Sequence, residues 1–394
     1  MIIPNARFRP SPTRAVYVHG PIDPQMVQRL TPRVILLQSQ SRNPITVYVD
    51  SPGGRIDSMG EILKLLRSSN QDYEAPCRII TVVTSRAASA AADLLSSGDY
   101  VIAYPESTIL YHGSRTFRDR EVPFPITVET TALIGLMLRL TNEKAATELL
   151  GKIEDRFMMR LLLSRGRFPE IRKNNPQMTD AECFLAMIAG SLSEPARRLF
   201  DTAKQLQGRY DALWTIIRKP YKGKTGASIE AKRIKALVDF EVSSNKKVKN
   251  WTFQGAGLTQ LTEDFFLLND QLSGNQSNRI NHLCNQWGKL ALDAADQAEI
   301  DKVPEPAKKE KITQRVRLLI EPVMGFFNAL CHALQQGENN LTATDAYWLG
   351  LIDEVMGNRD LPSLRHIAEY QPDPPPPPAP AELGPAVGQE PEQK

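Results

Sequence analysis

Between residues 15 and 112 the chain switches repeatedly between two periodicities, and this alternation restricts its folds more than any other feature. AVYVHG (15–20), ITVYVD (45–50), RIITVV (78–83), VIAY (101–104) and TILYH (108–112) are short apolar or β-branched runs of strand character. Residues 24–38 carry Met26, Val27, Leu30, Val34 and Leu37 at helical spacing, with Pro32 expected at a boundary or kink. Residues 57–68 suit a second helix with Asp57 as its N-cap, and 87–97 a third. Repeated β-α-β order implies a mainly parallel sheet with helices packed on it.

After residue 127 the pattern changes. Amphipathic helical stretches follow one another at 128–150, 155–164, 179–192, 195–217, 229–241, 258–273, 278–298 and 312–335, with DKVPEPAKKEK (301–311) as a charged spacer. NNLTATDAYWLGLIDEVMG (339–357) returns to the first style. The tail QPDPPPPPAPAELGPAVGQEPEQK (371–394) is too rich in proline and too poor in apolar residues to build a core, so it is expected to be disordered. The expected organisation is an α/β core in two parts, 1–126 and 338–370, a helical insertion at 127–337 and the tail.

Composition excludes several classes. With 41% hydrophobic residues, 24% charged residues and a formal net charge of +3, the chain needs no polyanionic partner. Its lysine clusters read as solvated helix faces, so no nucleic-acid partner is expected. ALIGLML (132–138) is closed off by Arg139 and is far short of the ~20 residues that span a bilayer. The N-terminus lacks the apolar core of a signal peptide, so a cytoplasmic location without membrane contact is expected. Cys77, Cys183, Cys284 and Cys331 show no metal spacing and read as buried thiols, and the histidines add no ligand pattern. No metal or organic cofactor is expected. GKT (223–225) would need a glycine at position 218 to be a phosphate loop, and that residue is Arg218.

The chemistry is expected around TSRAASAAA (84–92). A serine at the strand-to-helix junction can present its hydroxyl at the sheet edge. The N–H of Ala90 then faces the same space, and small neighbours admit a substrate backbone. SPGGRID (51–57) can turn a second free N–H, that of Gly54, toward it. His112 ends a strand 23 residues after Ser89, and a neutral imidazole suits as base for a serine hydroxyl. Singly, each piece has a plainer reading: a close-packed alanine-rich helix start, an ordinary Pro-Gly turn, a structural histidine. Their joint occurrence in this order is what selects the functional reading.

YVDSPGG, TSRAASAAADLLSSGDYVIAYPESTILYH and LTATDAYWLGLIDEV resemble the proteolytic subunit of the Clp protease, as does VYVHGPID (16–23). The resemblance covers roughly residues 14–125 and 338–357. It implies a ClpP/crotonase-like β-β-α spiral core and a serine-type endopeptidase. Ser89 would be nucleophile, His112 base, and the N–H groups of Gly54 and Ala90 the oxyanion hole. The family's third triad member, an aspartate, maps to Leu334 when counted back from Gly350. Glu338 is the candidate in its place, with Asn339 or Asn340 as uncharged orienters; a solvated loop acid is the plainer reading of Glu338. Where the family has a helical handle of modest length, residues 113–337 hold more than 200 residues. The resemblance also implies a homo-oligomer that encloses the sites, protein or peptide substrates, and an ATP-dependent unfoldase as partner. Three alternatives stay open. One is a Ser-Lys dyad peptidase of signal-peptide-peptidase type, with Lys144 as base. Another is a catalytically silent scaffold or adaptor, and the last is a crotonase-like acyl-CoA enzyme.

Overall fold

The computed structural model describes residues 8–68, 76–114, 128–220, parts of 222–239, 279–285, 294–358 and 360–361. Seven strands form one sheet: β1 (Ala15–His19), β2 (Ile45–Ser51), β3 (Ile79–Ala88), β4 (Tyr100–Ala103), β5 (Thr108–His112), β6 (Glu338–Thr342) and β7 (Glu354–Val355). Five of them run parallel in the order β1-β2-β3-β4-β7. β3 is long enough to serve two neighbourhoods. Its first half pairs with β2 and β4; its last three residues, Arg86 to Ala88, take Thr108 to Leu110 of β5 as partners, and Ala87 pairs also with Ser51 of β2 past a register shift. β6 closes this branch by pairing antiparallel with β5.

Helix α1 (Pro24–Gln40) starts where Asp23 accepts from the Met26 N–H and Pro24 supplies a preset φ. It runs on through Pro32, which is neither boundary nor end. Met26, Leu30, Val34 and Leu37 are buried, as their spacing predicts. Helix α2 (Ile56–Arg67) is capped at Arg55, not at Asp57. The Arg55 N–H donates to the Ile22 carbonyl at 2.8 Å, which keeps Arg55 extended, so the helix opens directly behind it. Asp57 pairs with the Arg55 guanidinium instead (Nε to Oδ1, 3.0 Å), and that hydrogen bond holds its carboxyl at about 2, below its ordinary value. Helix α3 (Ala90–Ser96) begins three residues later than expected, because Arg86 to Ala88 are claimed as strand by β5.

Between β5 and β6 the described residues form helices and loops. Helix α4 (Val128–Ser164) is unbroken across the gap expected between 150 and 155. It is followed by α5 (Phe168–Arg172), α6 (Asp180–Ser191), α7 (Glu194–Arg218), α8 (Ala294–Asp301) and α9 (Glu305–Leu334). Residues 305–311 of the expected spacer belong to α9: Pro306 sits in its first turn, and AKKEK consists of strong helix formers. Phe157 of α4 stacks on Phe327 of α9 with ring centroids 4.4 Å apart, and Phe200 of α7 meets Phe326 at 4.6 Å. These rings belong to one continuous core that also holds Val47 and Val49 of β2 and Leu94 of α3. Helix α10 (Ala343–Trp348) opens on a capping box of Thr342 and Asp345 before the chain reaches β7. The four cysteines are buried and free. Among the described residues no helix is long and apolar enough to cross a membrane. The expected helix at 258–273 and the tail at 371–394 lie outside the described residues.

Candidate active site

Ser89 stands alone between the last residue of β3 and the first of α3. Its φ of 57° and ψ of −129° make it the one non-glycine residue with positive φ among those described. Such a conformation costs roughly 1–3 kcal/mol and persists only where its surroundings enforce it. Two bonds do so here. The Ser89 N–H donates to the Leu110 carbonyl of β5 at 2.8 Å, and the Ser89 carbonyl accepts from the Ala92 N–H at 2.8 Å. The chain thus turns sharply from strand into helix with the hydroxyl at the crest.

The loop behind β2 packs against this crest. Gly53 has φ 88°, and a Cβ there would stand 2.3 Å from the Ala88 carbonyl oxygen and 2.7 Å from Ser89 Cβ. Only glycine combines that backbone with that closeness. Gly54 bridges to Ile22: the Ile22 N–H donates to Gly53 O (2.9 Å) and the Arg55 N–H to Ile22 O (2.8 Å). Bonds from its two neighbours to Ile22 leave the Gly54 N–H directed the other way, toward the β3 side. Among the described residues neither that N–H nor the N–H of Ala90 has a hydrogen-bond partner.

Ser89, Gly54, Ala90 and His112 line one cleft of about 1370 Å³, walled by α2, α3 and α4. The β3–β5 register carries His112 there, two residues beyond Leu110. Its Nδ1 lies 2.7 Å from the Gly113 carbonyl oxygen. Among the described residues the Ser89 hydroxyl makes no hydrogen bond, to His112 or to any other group. Glu338 is the antiparallel partner of His112 on β6, so both side chains rise from the same face of the β5–β6 pair. Asn339 faces the opposite side and does not orient the imidazole; its Nδ2 donates to the carbonyls of Ala333, Leu334 and Gln336 at the end of α9. Asn340 pairs with Leu110.

Lys144 reaches the cleft wall but is 78% exposed and lies 3.8 Å from the Glu148 carboxylate. Two other lining groups escape sequence reasoning. Asp93, one helical turn after Ser89, is half-buried, and burial pushes its carboxyl up to about 6. Lys152 of α4 is half-buried too, and burial lowers its ammonium below the ordinary lysine value. The i+4 spacing from Ser89 was the available signal for Asp93; nothing local marks Lys152, which arrives through the packing of α4.

Residues 9–145 match the family model described as Clp protease, and this part of the chain has the corresponding α/β fold. Over 101 residues the chain is 29% identical to an ATP-dependent Clp protease proteolytic subunit of Carsonella ruddii, covering 25% of this chain and 49% of that protein. It is 29% identical over 58 residues to an ATP-dependent Clp protease proteolytic subunit 3 of Rhizobium johnstonii, covering 14% of this chain and 30% of that one. A subunit 3 of Rhizobium etli matches over the same extent. The matched stretches span half or less of these relatives.

Proposed function

We propose that the protein is a serine-type endopeptidase of Clp type. The observation that carries the reading is the backbone of Ser89, a strained serine at a strand-to-helix crest beside a histidine and two unpartnered N–H groups. Ser89 Oγ attacks the scissile carbonyl, and His112 Nε2 takes the hydroxyl proton and returns it to the leaving amine. The Gly54 and Ala90 N–H groups receive the oxyanion. Water then hydrolyses the acyl-enzyme by the same proton route in reverse. Glu338, cross-strand from His112, adds negative charge beside the imidazolium that forms. The side chains involved need no metal or organic cofactor for these steps.

The substrates of this reading are proteins or peptides. A homo-oligomer would enclose the clefts, and an ATP-driven unfoldase would feed them. The matched relatives carry "ATP-dependent" in their names. Arg218 stands where a phosphate loop ending in GKT would need glycine, so the reading assigns ATP hydrolysis to a separate chain. Four free cysteines suit the reducing cytoplasm.

A catalytically silent scaffold is the second reading, favoured by the missing hydrogen bond between Ser89 and His112. Labelling with a fluorophosphonate probe separates the two. Labelling that is lost in Ser89→Ala and strongly reduced in His112→Ala carries the peptidase reading. A well-folded protein that stays unlabelled, with peptide or unfoldase added, carries the scaffold. Loss in Lys144→Ala or Lys152→Met with retention in His112→Ala would assign a Ser-Lys dyad instead.

A further inference from the structure

The turn that follows β5 is gripped by two helices from outside the sheet. Gly113, whose carbonyl meets His112 Nδ1, is closely walled where a side chain would stand. The Ser114 N–H, one residue on, donates to Asn142 Oδ1 of α4 at 2.7 Å. Next to Asn142 stands Gln335, the buried residue that caps α9. A Cβ at position 113 would lie 2.3 Å from the Gln335 carbonyl oxygen and 2.8 Å from Asn142 Nδ2. Gln335 is itself fixed, because Asn339 binds the carbonyls of Ala333, Leu334 and Gln336 around it.

We propose that this socket, built by Asn142 of α4 and Gln335 at the end of α9, holds the Gly113 carbonyl as the orienting acceptor of His112, in the role an acid fills in a Ser-His-acid triad. A carbonyl oxygen can only accept, so Nδ1 carries the imidazole proton and Nε2 keeps its lone pair for the serine hydroxyl. That is the tautomer a general base requires. The long excursion between β5 and β6 thereby acquires a role in the chemistry, because its first and last long helices position the base. Asn142 and Gly113 are positioning residues, acting through His112. A neutral acceptor fixes the tautomer but stabilises the imidazolium less than a carboxylate does, so the site is a slower catalyst than one with a buried acid.

The proposal rests on Ser89 and His112 being nucleophile and base, but its central claim is read without turnover. The full chain is labelled with 15N-histidine, and the His112 signal is identified by its disappearance in His112→Gln. Two-bond 1H–15N correlations, above the titration of the ring, distinguish the Nδ1–H from the Nε2–H form. The wild type should show Nδ1–H. Asn142→Ala should shift His112 toward Nε2–H and lower kcat about tenfold with KM unchanged. Asn142→Asp, which keeps the acceptor for Ser114, should restore both. Gly113→Ala should repeat the loss if it folds; Asn142→Ala, a half-buried change, serves if it does not. An Nε2–H wild type overturns the proposal. So does a wild-type pattern in Asn142→Ala, or a pattern that changes only in Glu338→Gln. The expected tautomers in a chain that never labels would remove the peptidase reading and leave the socket standing. Normal turnover with an unmoved tautomer in Asn142→Ala would remove the socket alone.

Discussion

His112 and Glu338 face each other across the antiparallel pair of β5 and β6, yet the imidazole Nδ1 is engaged 2.7 Å away by the carbonyl of the next residue, Gly113. The carboxylate is an exposed cross-strand neighbour. Exposed to water, its charge contributes little to the imidazolium, in the range of about 0–1 kcal/mol. Glu338→Gln should therefore lower kcat/KM by less than about fivefold. His112→Ala should cost about a hundredfold or more. A loss in Glu338→Gln matching that of His112→Ala, measured by the rate of fluorophosphonate labelling, would restore Glu338 as the orienting acid.

Gly53 makes a separate test of the crest. A methyl group there would meet the Ala88 carbonyl oxygen and Ser89 Cβ, at a φ of 88° that alanine adopts poorly. Gly53→Ala should destabilise the fold by roughly 1–3 kcal/mol and abolish labelling of Ser89. Urea midpoints and probe labelling check it together. Full labelling at unchanged stability would mean that the loop and the crest are not in contact.

Asp93 predicts a pH dependence of stability. Burial raises its folded pKa from 3.8 to about 6, so between about pH 4 and 6 the folded state binds the proton that the unfolded chain releases. The stability this group supplies is complete below pH 4 and is lost as pH rises through 6. Asp93→Asn removes that loss and should raise stability at pH 7, relative to the wild type, by about 1–3 kcal/mol more than it does at pH 4. Parallel urea titrations at the two pH values measure the difference; an equal effect at both would refute it.

Arg156 and Asp353 tie α4 to the core from inside. Arg156 Nε lies 3.0 Å from Asp353 Oδ2, both side chains are almost wholly buried, and the same oxygen accepts from the Val101 N–H at 2.7 Å. Removing one partner leaves a buried charge uncompensated. Arg156→Met should destabilise the protein by about 3–5 kcal/mol, and Asp353→Asn by a comparable amount. The double variant should cost less than the sum. Additive losses in a double-mutant cycle would show that the two groups act independently.

The parallel sheet was legible because each β-branched run is closed by glycine, proline or a polar turn, and the helical moments fall between them. The crest was legible in position but not in shape. The helix was expected from 87, and the pairing of Arg86 to Ala88 with β5 and of Ala87 with Ser51 of β2 makes this stretch strand. Local propensity similarly placed a cap at Asp57, where the Ile22 bridge overrides it by holding Arg55 extended. Ser89, His112, Gly54 and Ala90 could be expected at one cleft from motif order, since all lie within about sixty residues on elements of fixed sequence. Gly113, Asn142, Gln335 and Lys152 could not. Their part depends on where α4 and α9 arrive, and no local pattern carries that information.

The pairing of His112 with Glu338 also fixes where the excursion begins and ends. More than 200 residues leave and re-enter the sheet one strand spacing apart, about 5 Å. Closing a flexible loop costs only about 0.6 kcal/mol more for each doubling of its length. Loop closure by itself therefore sets little limit on the length of chain between the two strands, whereas α4 and α9 are held by the shared core and flank the turn beside His112. A shift of one turn at that threshold would move Gly113, and with it His112 and the cleft that holds Ser89.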